Sequence, residues 1–294
     1  MAQMQKNKPV GKITIARRVV QVCALLLFCV PLFAAGWTVL GMTAASDSAG
    51  NATPAQLPFF GTLSSTEIGP FSIIDPFAVL QTICASKTVA LEWIVGAAVV
   101  VVVYGLIRGR VFCGWTCPVN LLCEIVDWLR RKLKIKVAET PVPRHAKIYI
   151  AGAVLVVSAL VSIPVFEVVS PLSLLNKGLV LGSTTGLVTL IAIIVAELFF
   201  GHRVWCRSIC PLGGFYEVLG RVGQINVKID HEDCIGCNKC KQVCLCDPAI
   251  LADAIDGRDT MVRAGDCMLC GKCVEACPKD ALYIQLTRDR KPSA

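Results

Sequence analysis

Histidine is scarce in this chain: His145, His202 and His231 are the only three, and none stands inside an apolar run. A transmembrane b-type haem held by two histidines is therefore excluded, and no CxxCH signature offers attachment to a c-type haem. There is no Walker loop and no nucleotide-binding glycine run, which argues against transport driven by this chain's own ATP hydrolysis. Charge is also sparse, with 17% charged against 55% hydrophobic residues, a balance typical of membrane proteins. The net charge of +8 has no basic reading helix behind it, so nucleic acid is not an expected partner.

Apolar runs long enough to cross a bilayer need about 20 residues. Four qualify: Val19 to Leu40, Val89 to Ile107, Ile148 to Phe166 and Leu179 to Phe200. Glu92 and Glu197 lie near their ends. Lysine and arginine then set the orientation. The leader holds Lys6, Lys8, Lys12, Arg17 and Arg18, and residues 108–147 hold nine basic residues against three acidic ones. The loop from Gly41 to Thr88 carries only Lys87, and the one after Phe166 only Lys177. Both termini and the middle loop are thus expected to be cytoplasmic. A cleaved signal peptide is the alternative for the N-terminus, but Gly41-Met42-Thr43-Ala44 matches a cleavage site only loosely, and a retained span is expected.

One unit recurs. Arg110-Val111-Phe112-Cys113-Gly114-Trp115-Thr116-Cys117-Pro118 is answered by Arg203-Val204-Trp205-Cys206-Arg207-Ser208-Ile209-Cys210-Pro211, and Glu124 and Glu217 continue the register. Upstream, Asp75-Pro76 has a counterpart in Ser170-Pro171. Two parallel repeats predict a pseudo-two-fold axis along the membrane normal. Pro118 and Pro211 suit the first helical position, making Cys117 and Cys210 helix caps, an environment that lowers a thiol pKa. Cys113, Cys117, Cys206 and Cys210 are accordingly expected to hold a metal centre or act as paired redox thiols; the plainer reading is that each pair only ends a helix. Residues 120–137 read as an amphipathic helix on the headgroups, with Leu122, Ile125, Val126, Leu129 and Leu133 on one face. Cys23, Cys29, Cys84 and Cys123 have no partner pattern and read as packing residues. Asn51-Ala52-Thr53 is a glycosylation sequon by spelling only.

The last quarter carries the densest signal. Cys234-x2-Cys237-x2-Cys240-x3-Cys244 is repeated as Cys267-x2-Cys270-x2-Cys273-x3-Cys277, the second followed by Pro278. In this bacterial ferredoxin run three close thiolates hold one 4Fe-4S cube and the fourth reaches the other. The first cube takes Cys234, Cys237, Cys240 and Cys277; the second takes Cys267, Cys270, Cys273 and Cys244. Zinc would need only four thiolates per ion and gives no reason for two matched quartets. Disulfides are disfavoured on a reducing side. After Cys244 the sequence runs Leu245-Cys246-Asp247-Pro248, so the proline is displaced and a spare thiol adjoins the ligand. Ile225 to Ile229 and Ala281 to Leu286 read as short strands closing this region.

The expected fold is an α-helical membrane protein of four transmembrane helices in two pseudo-repeats, with a C-terminal α+β two-cluster ferredoxin-like domain. Residues 1–18 form the basic leader, 19–223 the membrane domain and 224–294 the cytoplasmic cluster domain.

With these features placed, the chain resembles the NapH family, whose parts also occur in MauN, NosR and CcoG-type proteins. The resemblance implies a multi-pass protein of the bacterial inner membrane and a quinol dehydrogenase component. It also implies a periplasmic iron-sulfur partner, NapG-like, and electron flow toward periplasmic nitrate reductase. All twelve cysteine positions marked in that family are filled here. No catalytic residue follows from the sequence; Asp75, Glu92, Glu167 and Glu197 are the carboxylates near span boundaries that could accept quinol protons. The rival readings are a soft-metal handling or maturation factor using the CxxxCP cysteines, and a redox-sensing regulator.

Overall fold

The computed structural model describes residues 11–34, 59–61, 65–68, 71–135, 142–171, 173, 184–199 and 201–286. Helix α1 (Lys12–Ala34) precedes an antiparallel sheet of β1 (Phe59–Gly61), β2 (Ser65–Ile68) and β3 (Phe71–Ile74). Helices α2 (Pro76–Ser86), α3 (Leu91–Ile107), α4 (Val111–Trp115) and α5 (Pro118–Leu133) follow. Next come α6 (Ala146–Val161), α7 (Val165–Val169), α8 (Thr184–Phe199), a π-helical turn (Trp205–Ile209) and α9 (Pro211–Gly220). Strands β4 (Ile225–Ile229) and β5 (Leu282–Leu286) pair antiparallel, Ile225 opposite Leu286. Between them lie α10 (Lys239–Gln242), a 3-10 turn (Pro248–Leu251), α11 (Ala252–Ile255) and α12 (Lys272–Ala276).

Proline opens α2, α5 and α9 at the first turn, where its missing amide costs nothing. Left-handed residues close α2, α5 and α6: Lys87 at φ 57°, Lys134 at φ 55° and Ser162 at φ 56°. Aromatic rings tie the two repeats together. Phe77 packs on Phe166 with centroids 5.8 Å apart, and Phe112 on Tyr216 at 5.6 Å, separations at which ring pairs attract.

The repeat is visible in its polar contacts. Arg17 of α1 donates to the Gly114 carbonyl at 3.3 Å and pairs with Glu124. Lys147 of α6 donates to the Arg207 carbonyl at 3.0 Å and pairs with Glu217 at 3.2 Å. Each cation thus binds the residue after the first CxxxCP cysteine and the glutamate that follows the motif.

The membrane reading is overturned. Among the described residues, no helix is long and apolar enough to cross a membrane. Where the second and third spans were expected, the helices have 17 and 16 residues, so at about 1.5 Å per residue they fall short of a hydrocarbon core of about 30 Å; residues 179–183 and 200 of the fourth lie outside the described residues. The expected run through Phe166 breaks because Ser162 turns left-handed and Pro164 follows, starting the separate α7. Helix α1 is longer, 23 residues, but begins with Lys12, Arg17 and Arg18, and Thr14, Arg17 and Gln21 are buried against protein. The four-span fold, the multi-pass inner-membrane localisation and the cytoplasmic placing of both termini fall together. Residues 35–40 of the first expected span, Lys177 and the Asn51 sequon lie outside the described residues.

Helix α5 corrects a second expectation. Its buried side carries Asn120, Glu124 and Asp127 beside Val119, Cys123 and Val126, whereas Ile125, Trp128 and Leu133 are exposed. The polar residues turn inward because cations meet them there: Arg17 and Lys272 at Glu124, Arg203 at Asp127.

Candidate functional site

The twelve expected cysteines gather in three chambers. Cys234, Cys237, Cys240 and Cys277 line one, with Ile235 and Leu282 in its walls. Cys244, Cys267, Cys270 and Cys273 line a second, together with Cys246 and Met268. Cys113, Cys117, Cys206 and Cys210 line a third, walled by Phe112, Phe166, Trp205 and again Met268. Met268 is therefore a partition between the second chamber and the third. All twelve thiols are unbridged.

Local backbone explains the two C-terminal loops. Gly236 and Leu269, each just before the second cysteine of its run, are left-handed at φ 63° and 49°; Asn238 and Gly271, each just after it, are left-handed at 55° and 73°. The same two reversals curl both loops around their chambers. Leucine is a poor residue for that region, and Trp115 Nε1 holds its carbonyl at 3.1 Å. A side chain at Gly271 would meet Ile13 Cγ2 at 2.4 Å, so glycine also admits α1 there.

The third chamber is held by long-range ion pairs. Arg110 Nη1 bonds Asp266 at 2.5 Å while its Nη2 bonds the Cys206 carbonyl at 2.7 Å. Lys147 reaches the same Asp266. Arg203 binds Asp127 at 2.8 Å and Asn120 at 2.7 Å. Burial alone would raise the Asp266 carboxyl, but Arg110 and Lys147 outweigh it and hold it below the usual carboxylate range. At Asp127 burial is likewise overcome, by His202 and Arg203. Arg108 donates to the Val262 carbonyl at 2.8 Å and the Ala264 carbonyl at 2.5 Å, and Arg207 pairs with Asp247 at 3.0 Å. The two cysteine loops are thus clamped onto the repeats, the one bearing Met268 by Arg108 and Arg110 and the one bearing Asp247 by Arg207.

Cys117 and Cys210 are the N-caps of α5 and α9, and Cys210 Sγ accepts from the Gly213 amide at 3.4 Å. The lowered pKa expected from that position does not follow, because burial raises both thiols, Cys210 to about 12. Cys206 is the exception: it is lowered by a contact with Cys123, whose Sγ lies 3.9 Å from its own. Cys123 was expected only to pack, and no spacing links it to Cys206; the contact arises where α5 crosses the π-helical turn.

The four carboxylates line none of these chambers. Asp75 is half-buried beside Tyr216, whose hydroxyl donates to it at 3.2 Å; desolvation and then Glu167 raise its pKa to about 7. Glu167 accepts from Ser173 at 2.6 Å, Glu197 accepts from the Trp205 amide at 2.9 Å, and Glu92 is exposed.

Four thiols on mostly apolar walls are the donor set that iron-sulfur groups take. Among the described residues no three thiols, imidazoles or carboxylates close on one point as a single metal ion requires.

Comparison with known proteins agrees with the donor set. A family model described as a 4Fe-4S binding domain matches twice, at residues 89–136 and 183–230, once per repeat. A 4Fe-4S dicluster domain model matches residues 226–281. The chain is 32% identical over 252 residues to the methylamine utilization ferredoxin-type protein MauN of Methylorubrum extorquens, covering 85% of this chain and 80% of that one. It is 34% identical to the ferredoxin-type protein NapH of Escherichia coli, covering 58% and 60%, and 30% identical to NapH of Haemophilus influenzae, covering 64% and 68%. No solved structure matches.

Proposed function

This chain belongs to the NapH and MauN family of ferredoxin-type iron-sulfur electron-transfer proteins, and on that premise we propose that it draws electrons from a quinol and passes them to an iron-sulfur partner of NapG type serving a nitrate reductase. Two 4Fe-4S groups would be held by Cys234, Cys237, Cys240 and Cys277, and by Cys267, Cys270, Cys273 and Cys244, in a cluster-bearing domain formed by residues 224–294. A further redox group would sit among Cys113, Cys117, Cys206 and Cys210. When bound, such cubes take up and release single electrons at potentials set by burial and by hydrogen bonds to sulfur.

The observation that carries this reading is the crossing of the two runs. Cys277 of the second run lines the first chamber, and Cys244 of the first run lines the second. That exchange is what a two-cube ferredoxin requires and what two separate zinc sites would not. Met268 between the second and third chambers supports an order of travel, with the CxxxCP group next to the second cube and the first cube beyond it.

The chain's own residues supply the surroundings. Phe112, Phe166 and Trp205 keep water from the third chamber, Arg110 places positive charge beside Cys113 and Cys206, and the Cys123 contact adds a hydrogen bond at Cys206. The test is EPR together with iron and sulfide analysis of protein purified without oxygen, before and after a quinol analogue. Reduced cluster signals that grow on adding quinol are expected. Zinc without iron, or clusters that dithionite reduces and quinol never does, would sink the reading.

A further inference from the structure

A cube needs four thiolates, yet five thiols line the second chamber. Cys244 and Cys246 stand on the same short segment, and both side chains line this chamber. The Cys244 thiol also donates to the Asp247 carbonyl at 3.6 Å. Cys246 is more deeply buried than Cys244, at 3% exposure, and lies toward Arg110, whose charge also reaches Cys113 and Cys206 of the third chamber. The displaced proline has a structural role here. Pro248 begins a 3-10 turn capped by Asp247, which accepts from the Ala249 amide at 2.8 Å, and Asp247 in turn pairs with Arg207 of the second CxxxCP motif. The two residues between Cys244 and Asp247 therefore carry a thiol into the chamber from the side that faces the CxxxCP cysteines.

We propose that Cys246 is an alternative fourth ligand of the second chamber, exchanging with Cys244 at one iron. The inference rests on the reading of that chamber as a 4Fe-4S site. In the exchange the iron bond to Cys244 sulfur breaks and one to Cys246 sulfur forms. The Cys246 proton passes to the departing Cys244 sulfur, and no electron is gained or lost. Ligation by Cys246 draws the fourth thiolate toward Arg110 and the third chamber. The Arg207–Asp247 pair makes that choice responsive to the state of the CxxxCP loop.

The experiment uses the full chain purified without oxygen, as wild type, Cys244→Ala, Cys246→Ala and the double variant, with serine versions of each. Iron and sulfide content is measured with EPR of the oxidised and reduced protein. Each single variant is expected to keep the wild-type iron content while the signal of the reduced second centre changes shape. The double variant is expected to lose about one iron per chain and to show the oxidised signal of a three-iron centre. An unchanged signal from the centre bound by Cys234, Cys237, Cys240 and Cys277 reports that the chain has folded, and the single variants decide the matter even where the double variant fails to fold. A three-iron signal in only one single variant, with the other indistinguishable from wild type, overturns the exchange and leaves the ferredoxin reading intact. Wild-type chain without iron overturns both.

Discussion

The C-terminal chambers and the CxxxCP chamber collect the same side chain by opposite means. In the first case two short loops curl around their contents, and left-handed residues at matched positions do the shaping. In the second, cysteines from two distant motifs are brought together by buried charged side chains, such as Arg110, which donates to the Cys206 carbonyl 96 residues away. A locally wound chamber leans on what it contains, because the thiols that shape its loops are the ones the contents tie together. A chamber assembled from afar leans on its scaffold, whatever it contains.

Stripping iron with a chelator should separate the two most sharply. Amide hydrogen exchange across residues 225–286 should then accelerate on the order of a thousandfold or more, while α3 and α5 keep most of their protection; equal loss in both regions would erase the distinction. Asp266→Ala should act in the other direction. It leaves Arg110 and Lys147 buried without their shared carboxylate, and urea unfolding should register a loss of about 3–5 kcal/mol. Gly114→Ala tests the seam between the regions. An added methyl would lie 2.7 Å from the Met268 carbonyl, and such overpacking should cost about 1–3 kcal/mol and disturb the third chamber before the first.

The smallest effect concerns pH. Asp127 has its pKa lowered in the folded chain, so its contribution is complete above the ordinary aspartate value near 4 and is lost as pH falls below it. Asp127 is buried against Arg203, with the more exposed His202 at its edge, and the loss should be about 1 kcal/mol. Asp127→Asn should therefore flatten the stability curve between about pH 5 and pH 3; an unchanged slope would mean that Arg203 and His202 do not stabilise the carboxylate.

These differences also explain what could be read in advance. Cysteine runs are short-range chemistry, so the gap of three before Cys244 and Cys277 was informative without coordinates. The helix starts at Pro118 and Pro211 were equally local. Span counting failed because it adds up apolar residues without seeing helix ends, and nothing in the spelling marks Ser162 as a left-handed stop. The sheet of β1, β2 and β3 lies in a stretch that read as a loop, since its strands have only three or four residues. The inward polar side of α5 and the meeting of Cys123 with Cys206 depend on partners at least 76 residues distant, which no periodicity encodes.

One contact sets the timing of biogenesis. The Thr14 amide, at the positive end of α1, donates to Glu275 at 2.9 Å, and the Thr14 hydroxyl bonds the same carboxylate, across 261 positions. The ribosome has therefore released nearly everything between them before this latch can fasten. Contacts so remote are slow to form, so α1 should dock on the C-terminal region late in folding.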